Sequence, residues 1–118
     1  MTDKLVVLVT CGSLGEARKI ARALVEARLA ACGNILTSVR SIYRWKNKVE
    51  SAGETLLILK TSRQRFPALQ REVERLHSYD TPEIIALPIE AGARKYLAWL
   101  ADSLRAVTGP VNVQGKRS

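Results

Sequence analysis

The chain has 118 residues, enough for one ordinary domain and too few for two typical ones. Its apolar content of 47% excludes a disordered chain, and no apolar run approaches the ~20 residues that span a bilayer. Nineteen Lys and Arg against eleven Asp and Glu give a net charge of +8. The basic residues are scattered over helix faces, and no aromatic-rich basic strand of the kind that stacks bases is present, so a nucleic-acid partner is not expected.

The start, "MTDKLVVLVTC", carries an acid before its short apolar run and no signal-peptide cleavage pattern. No membrane association and a cytoplasmic protein are therefore expected. The two cysteines, Cys11 and Cys32, form no CxxC and no Cys/His spacing of a zinc site, and in a reducing compartment read as thiols.

Residues 4–10, "KLVVLVT", predict a buried strand, β-branched and apolar throughout. Ser13 and Glu16 have capping-box spacing, and Leu14, Ala17, Ile20, Ala21, Leu24 and Val25 recur at helical spacing, so a helix is predicted to about Leu29. Residues 35–45 and 49–61 predict two long strands joined by "KNK", with Asn47 suited to a positive φ. Strict alternation puts Ile35, Val39, Tyr43 and Trp45 on one face of the first of these. The apolar block from Leu56 to Leu59 leaves no polar face, so cover on both sides is expected there.

A second helix is predicted over residues 63–77, capped by Ser62 or a neighbour, with Pro67 tolerable only in its first turn. "EIIALPI" (83–89) predicts a strand whose Pro88 demands an edge or an end. Residues 93–104 predict a third helix, and the tail from 107 to 118 reads as loop, with a short strand at "VNV" at most. The order β-α-β-β-α-β plus a C-terminal helix is the ferredoxin-like α+β sandwich, one domain with its ordered core over residues 4–106. Its helices cover one sheet face. The apolar residues on the other face call for cover from the third helix or from another subunit, and the over-long hairpin, with nothing else to pair with, predicts that another subunit contributes.

The connection after the second helix, "LHSYDTPE", gathers the chain's one histidine, His77, with Tyr79, Asp80 and Glu83. Imidazole with carboxylates suits copper, zinc and similar divalent ions. The same residues also suit a structural turn: Asp80 or Thr81 shapes it, Pro82 enforces an extended entry to the strand, and His77 caps the helix. Both readings are open on the residues alone.

An ordered set of segments runs through most of the chain: "LAAC" (29–32), "SIYRWKNKVE" (41–50), Glu54, "LLILKT" (56–61), "HSYDTPEIIALPI" (77–89), Gly92 and "YLAWL" (96–100). This set resembles the CutA family of divalent-cation-tolerance proteins. The resemblance implies a ferredoxin-like subunit in a homotrimer whose hairpin arms reach into neighbouring subunits. It implies a non-enzymatic role in copper and divalent-ion tolerance, with Cu(II) or another divalent metal bound. The metal candidates are His77, Cys11, Asp80 and Glu83. Some members carry a first-strand cysteine as ligand; Val9 holds that place here, with Cys11 two residues on. Trp45, Glu50, Glu54, Lys60 and Tyr79 form a candidate inter-subunit cleft, either a salt-bridge network that specifies the trimer or a pocket for a small anion or metabolite. Lys60 ends an apolar strand and is expected to seek a carboxylate there. The resemblance of the trimer to the PII signalling proteins supports an alternative, a signalling module that binds a small ligand in that cleft. No nucleophile elbow, phosphate loop or two-histidine zinc helix argues for an enzyme.

Overall fold

In a computed structural model the described residues are 2–105. The predicted tail lies outside them. The elements follow in the order β1 (Lys4–Cys11), α1 (Leu14–Glu26), β2 (Cys32–Trp45), β3 (Lys48–Ser62), α2 (Phe66–Leu76), β4 (Ile84–Pro88) and α3 (Arg94–Ser103). The four strands form one antiparallel sheet in the order β2-β3-β1-β4. This is the ferredoxin-like arrangement, with β4 and its Pro88 on an edge.

β1 is apolar from Leu5 to Val9, yet only alternate residues are buried in the subunit. Leu5, Val7, Val9 and Cys11 point under the helices. There they meet Leu57 and Leu59 of β3, Ile20 and Leu24 of α1, and Leu69 and Val73 of α2. The chain from Leu56 to Leu59 behaves alike, with Leu57 and Leu59 fully buried and Leu56 and Ile58 half-buried. Cover on both sides is thus absent in the single subunit.

The helix ends differ from the periodicity by a few residues, each for a local reason. α1 stops at Glu26 rather than Leu29, because Arg28 turns left-handed at φ 59° and the Leu29 N–H closes onto the Leu24 carbonyl at 2.9 Å. α2 starts at Phe66 rather than residue 63, with Pro67 in its first turn. Ser62 Oγ accepts from the Arg65 N–H at 3.2 Å, so the serine stabilises the approach to the helix, and Arg65 takes the cap position.

β2 does not alternate strictly. Its register slips between Leu36 and Val39, where Thr37 and Ser38 oppose a single residue of β3 and Ser38 adopts φ 64°. The bulge reverses the parity. Ile35 packs into the core, while Val39, Tyr43 and Trp45 share the opposite face with Leu36, so the predicted set of four is split. The outer sheet face is consequently apolar and open: Leu36, Tyr43, Trp45, Ile85 and Leu87 each keep 43–49% of their surface exposed. α3 does not cover this area. It anchors near the start of β2 through the small cluster of Ala31, Leu100 and Leu104, with Tyr96 and Trp99 beside it.

Candidate functional site

Two neighbouring groups of side chains meet where the α2–β4 turn crosses the end of β1. The inner group is Cys11, Glu16 and His77. One ligand-capable atom from each lies within 4.8 Å of the other two. The chain arranges this with three local devices. Cys11 is the last residue of β1 and keeps the inward parity of Val7 and Val9. Glu16 sits in the first turn of α1, placed by the Ser13 cap, whose Oγ accepts from the Glu16 N–H at 3.1 Å. His77 is the C-cap of α2, its N–H bonded to the Val73 carbonyl at 2.8 Å.

The imidazole is oriented at both nitrogens. Nε2 lies 2.8 Å from the Thr10 carbonyl, which can accept but not donate. The Tyr79 N–H donates to Nδ1 at 3.0 Å. The proton is therefore on Nε2, and the Nδ1 lone pair faces the turn, 4.0 Å from Glu16 Oε2. A histidine held to a backbone carbonyl through one nitrogen, with the other toward a carboxylate, has the orientation that metal-ligating histidines adopt.

Glu16 does more than cap. Its Oε1 accepts from the Gly12 N–H at 3.2 Å and its Oε2 from the Ser78 N–H at 2.7 Å, so one carboxylate ties the β1–α1 turn to the α2–β4 turn. Burial alone would raise its pKa, but the Ser78 and Gly12 hydrogen bonds and the neighbouring His77 hold it below its ordinary value. The Cys11 thiol is pushed the other way, up to about 12, first by burial and then by the charges of Glu16 and Glu54. Residue types had singled out His77 and Cys11. Glu16 was missed as a site residue; its signal was the capping-box spacing, which places it but does not reveal what else its carboxylate reaches.

The outer group lines a cleft of about 560 Å³ whose walls include Tyr43, Trp45, Glu54, Tyr79, Asp80 and Glu83. Tyr79 joins the two groups. Its ring lies 4.7 Å from the imidazole, and its hydroxyl donates to Glu54 Oε2 at 2.7 Å. A Cβ at Gly12 would stand 3.3 Å from that hydroxyl, so the glycine leaves the ring its place. Burial, then Glu54, hold the Tyr79 phenol above its ordinary pKa.

The predicted site residues thus fall into separate places. His77 and Cys11 belong to the inner group, with Glu16. Asp80 and Glu83 belong to the cleft and are not part of the inner cluster. Trp45, Glu54 and Tyr79 line the cleft; Glu50 and Lys60 do not. Glu50 is exposed on the hairpin arm opposite Tyr43. Lys60 finds an amide rather than a carboxylate, its Nζ donating to Asn34 Oδ1. The reason is the sheet: Lys60 pairs with Val6 near the start of β1 and with Cys32 at the start of β2, at the opposite end of β1 from Cys11 and the turn.

Residues 5–103 match the family of the CutA1 divalent ion tolerance protein. The chain belongs to that family. Among its relatives, the divalent-cation tolerance protein CutA of Thermus thermophilus is 52% identical over 98 residues, covering 83% of this chain and 95% of the relative. The solved Thermus structure superposes with a TM-score of 0.81, covering 82% of this chain and 94% of that one. Arabidopsis thaliana has a chloroplastic CutA protein that is 45% identical over 101 residues, which covers 86% of this chain but 56% of the plant protein. The Archaeoglobus fulgidus structure, described as a periplasmic divalent cation tolerance protein CutA, is 39% identical with a TM-score of 0.84, covering 86% of this chain and 99% of that one. The expectation of a cytoplasmic protein is overturned by these names. CutA proteins are described from the chloroplast and the periplasm, so membership of the family does not place a chain in the cytoplasm.

Proposed function

We propose that this CutA-family chain is a homotrimeric, non-enzymatic protein that binds copper(II), or a divalent ion of similar preference, as part of metal tolerance. The observation that carries the reading is the inner cluster: a thiol, a carboxylate and an imidazole nitrogen within 4.8 Å of one another in a largely buried turn. Mixed sulfur, nitrogen and oxygen donors suit copper and zinc better than magnesium or calcium. His77 would present Nδ1, with Nε2–H anchored on the Thr10 carbonyl; Glu16 would supply an oxygen and Cys11 its sulfur. When bound, the ion would supply positive charge at a spot where the subunit offers the Glu16 carboxylate and a Cys11 thiol that burial keeps protonated. The chain must release the thiol proton and the Tyr79 N–H bond to make room.

The trimer is supported by the open outer face. Monomeric domains seldom leave so continuous an apolar band uncovered, and a band spread over β2 and β4 is available at both sheet edges. The test is a calorimetric titration of the metal-free protein with copper(II) and with zinc(II), beside His77→Ala and Cys11→Ser. Sub-micromolar binding that both substitutions abolish, with particle size unchanged by light scattering, is the expected result. Equal binding by all three proteins, or binding by none, overturns the assignment.

A further inference from the structure

The inner cluster is closed by the turn that follows His77. Two successive amides of that turn sit on the two donor atoms that face each other across it. The Ser78 N–H donates to Glu16 Oε2 at 2.7 Å, and the Tyr79 N–H donates to His77 Nδ1 at 3.0 Å. Those two acceptors lie 4.0 Å apart. The cluster is thus self-contained: among the described residues no buried side-chain nitrogen or oxygen lacks a partner. A zinc ion stands about 2.0–2.1 Å from a ligating imidazole nitrogen, which is where the Tyr79 N–H now points.

One side-chain bond that touches neither acceptor holds this turn down. The Tyr79 hydroxyl donates to Glu54 Oε2 on β3 at 2.7 Å. A bond to an ionised carboxylate is stronger than one between neutral groups. The ring has little room to shift: it lies 4.7 Å from the imidazole, and a Cβ at Gly12 would already stand 3.3 Å from the hydroxyl. Moving the amide off Nδ1 therefore pulls on the bond to Glu54. Every one of these contacts is made within a single chain, between β1, α1, β3 and the turn.

We propose that Tyr79 and Glu54 form a latch on the metal site. The latch rests on the inner cluster being that site. Glu54 acts through Tyr79 as a positioning residue: it keeps the two amides seated, so that an ion binds only the fraction of molecules whose turn has opened. The cost is the same for every ion, and it sets a threshold. An ion that gains little from the cluster leaves the turn in place.

The test is calorimetric titration of zinc(II) and of copper(II) into the full-length protein freed of metal with a chelator, beside Tyr79→Phe. That variant keeps the ring and the amide and removes only the hydroxyl. It should bind each ion about tenfold tighter, the effect of one hydrogen bond to a charged group. Before any ion is added, its Ser78 and Tyr79 amides should exchange about tenfold faster than in the unaltered protein, while the His77 amide, bonded to Val73, keeps its protection. In Glu54→Leu, where the acceptor is gone, adding Tyr79→Phe should change affinity by less than about twofold. Light scattering verifies that the variants keep the particle size of the unaltered protein. Equal affinity in the unaltered protein and Tyr79→Phe overturns the latch and leaves the metal site standing. Weaker binding by Tyr79→Phe, with general loss of protection, makes the hydroxyl a support of the site and overturns the latch as well. Binding of neither ion by either protein overturns the latch and the metal site together.

Discussion

Tyr79 holds His77 from two sides: its N–H donates to Nδ1 at 3.0 Å, and its ring lies 4.7 Å from the imidazole at a tilt of 50°. The N–H occupies the lone pair that a metal ion would use. A histidine nitrogen cannot accept from an amide and ligate an ion at once, so binding at Nδ1 must free the Tyr79 amide. Zinc, being diamagnetic, makes this visible: on saturation the Tyr79 amide should lose protection from hydrogen exchange by about tenfold or more, while the His77 N–H, bonded to Val73, stays protected. An unchanged Tyr79 amide in zinc-loaded protein would put the ion at another atom.

Metal uptake should also release a proton. The Cys11 thiol, raised to about 12 by burial and by two nearby carboxylates, is fully protonated at neutral pH, and a bound divalent ion requires the thiolate. Apparent affinity is therefore expected to rise about tenfold per pH unit from pH 6 to 8. Titrations in two buffers of different ionisation enthalpy should give close to one proton released per ion. In Cys11→Ser, whatever weak binding remains above the micromolar range should release no proton and show no pH slope.

Without metal, Glu16 makes the fold acid-sensitive. Its folded pKa lies below its ordinary value of 4.5, because hydrogen bonds from Ser78 and Gly12 to the ionised form outweigh the cost of burial. A depressed carboxyl contributes stability that is complete above the unfolded pKa and is lost as pH falls through the folded one. Urea midpoints at fixed protein concentration should drop between pH 5 and 3. Glu16→Gln should start lower at pH 7 by about 1–3 kcal/mol, since the amide replaces an accepting oxygen with a donor facing an N–H, and should fall less steeply with acid.

The order of elements along the chain, the helices and an edge or end place for Pro88 could be read from the residues because each rests on a local pattern: alternation, helical spacing, a capping serine, a proline. The failures have local causes too. Strict alternation in β2 misassigns the face of Ile35 because Ser38 inserts a bulge that nothing in "ILTSVRS" announces. Two of the three residues of the inner cluster were legible, since His77 and Cys11 are residue types that invite attention. Glu16 was not, because its second hydrogen bond is to Ser78, 62 residues away, and such closure depends on how two turns pack. Lys60 misled for the opposite reason: a lysine at the end of an apolar run predicts a carboxylate partner, whereas the register supplies Asn34.

The hairpin tip carries removable strain. Asn47 is left-handed at φ 66°, as its residue type suggests, but Lys46 shares that region at φ 50°. Two consecutive positive φ values are the requirement of the turn type that favours Asn-Gly. A left-handed lysine costs roughly 1–2 kcal/mol, and asparagine and glycine cost less. The double substitution Lys46→Asn and Asn47→Gly should therefore stabilise the protein by about 1 kcal/mol, seen as a higher urea midpoint with an unchanged slope. A lower midpoint would show that the lysine side chain makes a contact worth more than the strain.

The outer sheet face gives the sharpest test of assembly. Ile85 and Leu87 stand on the edge strand β4, opposite Leu8 and Val6 of β1, and each keeps nearly half of its surface exposed in the subunit. Neither belongs to the core beneath the helices. An aspartate at either position therefore costs the isolated subunit little, because the new charge stays in water. In a trimer that buries this face, the same charge would be desolvated without a partner, at a cost of several kcal/mol repeated in every subunit. Leu87→Asp should accordingly give a monomer by light scattering, with the circular dichroism of a folded α+β chain and a lowered Tm. Ile85→Asp should do the same. A variant that stays trimeric would remove this face from the interface and leave the hairpin arm to hold the subunits together.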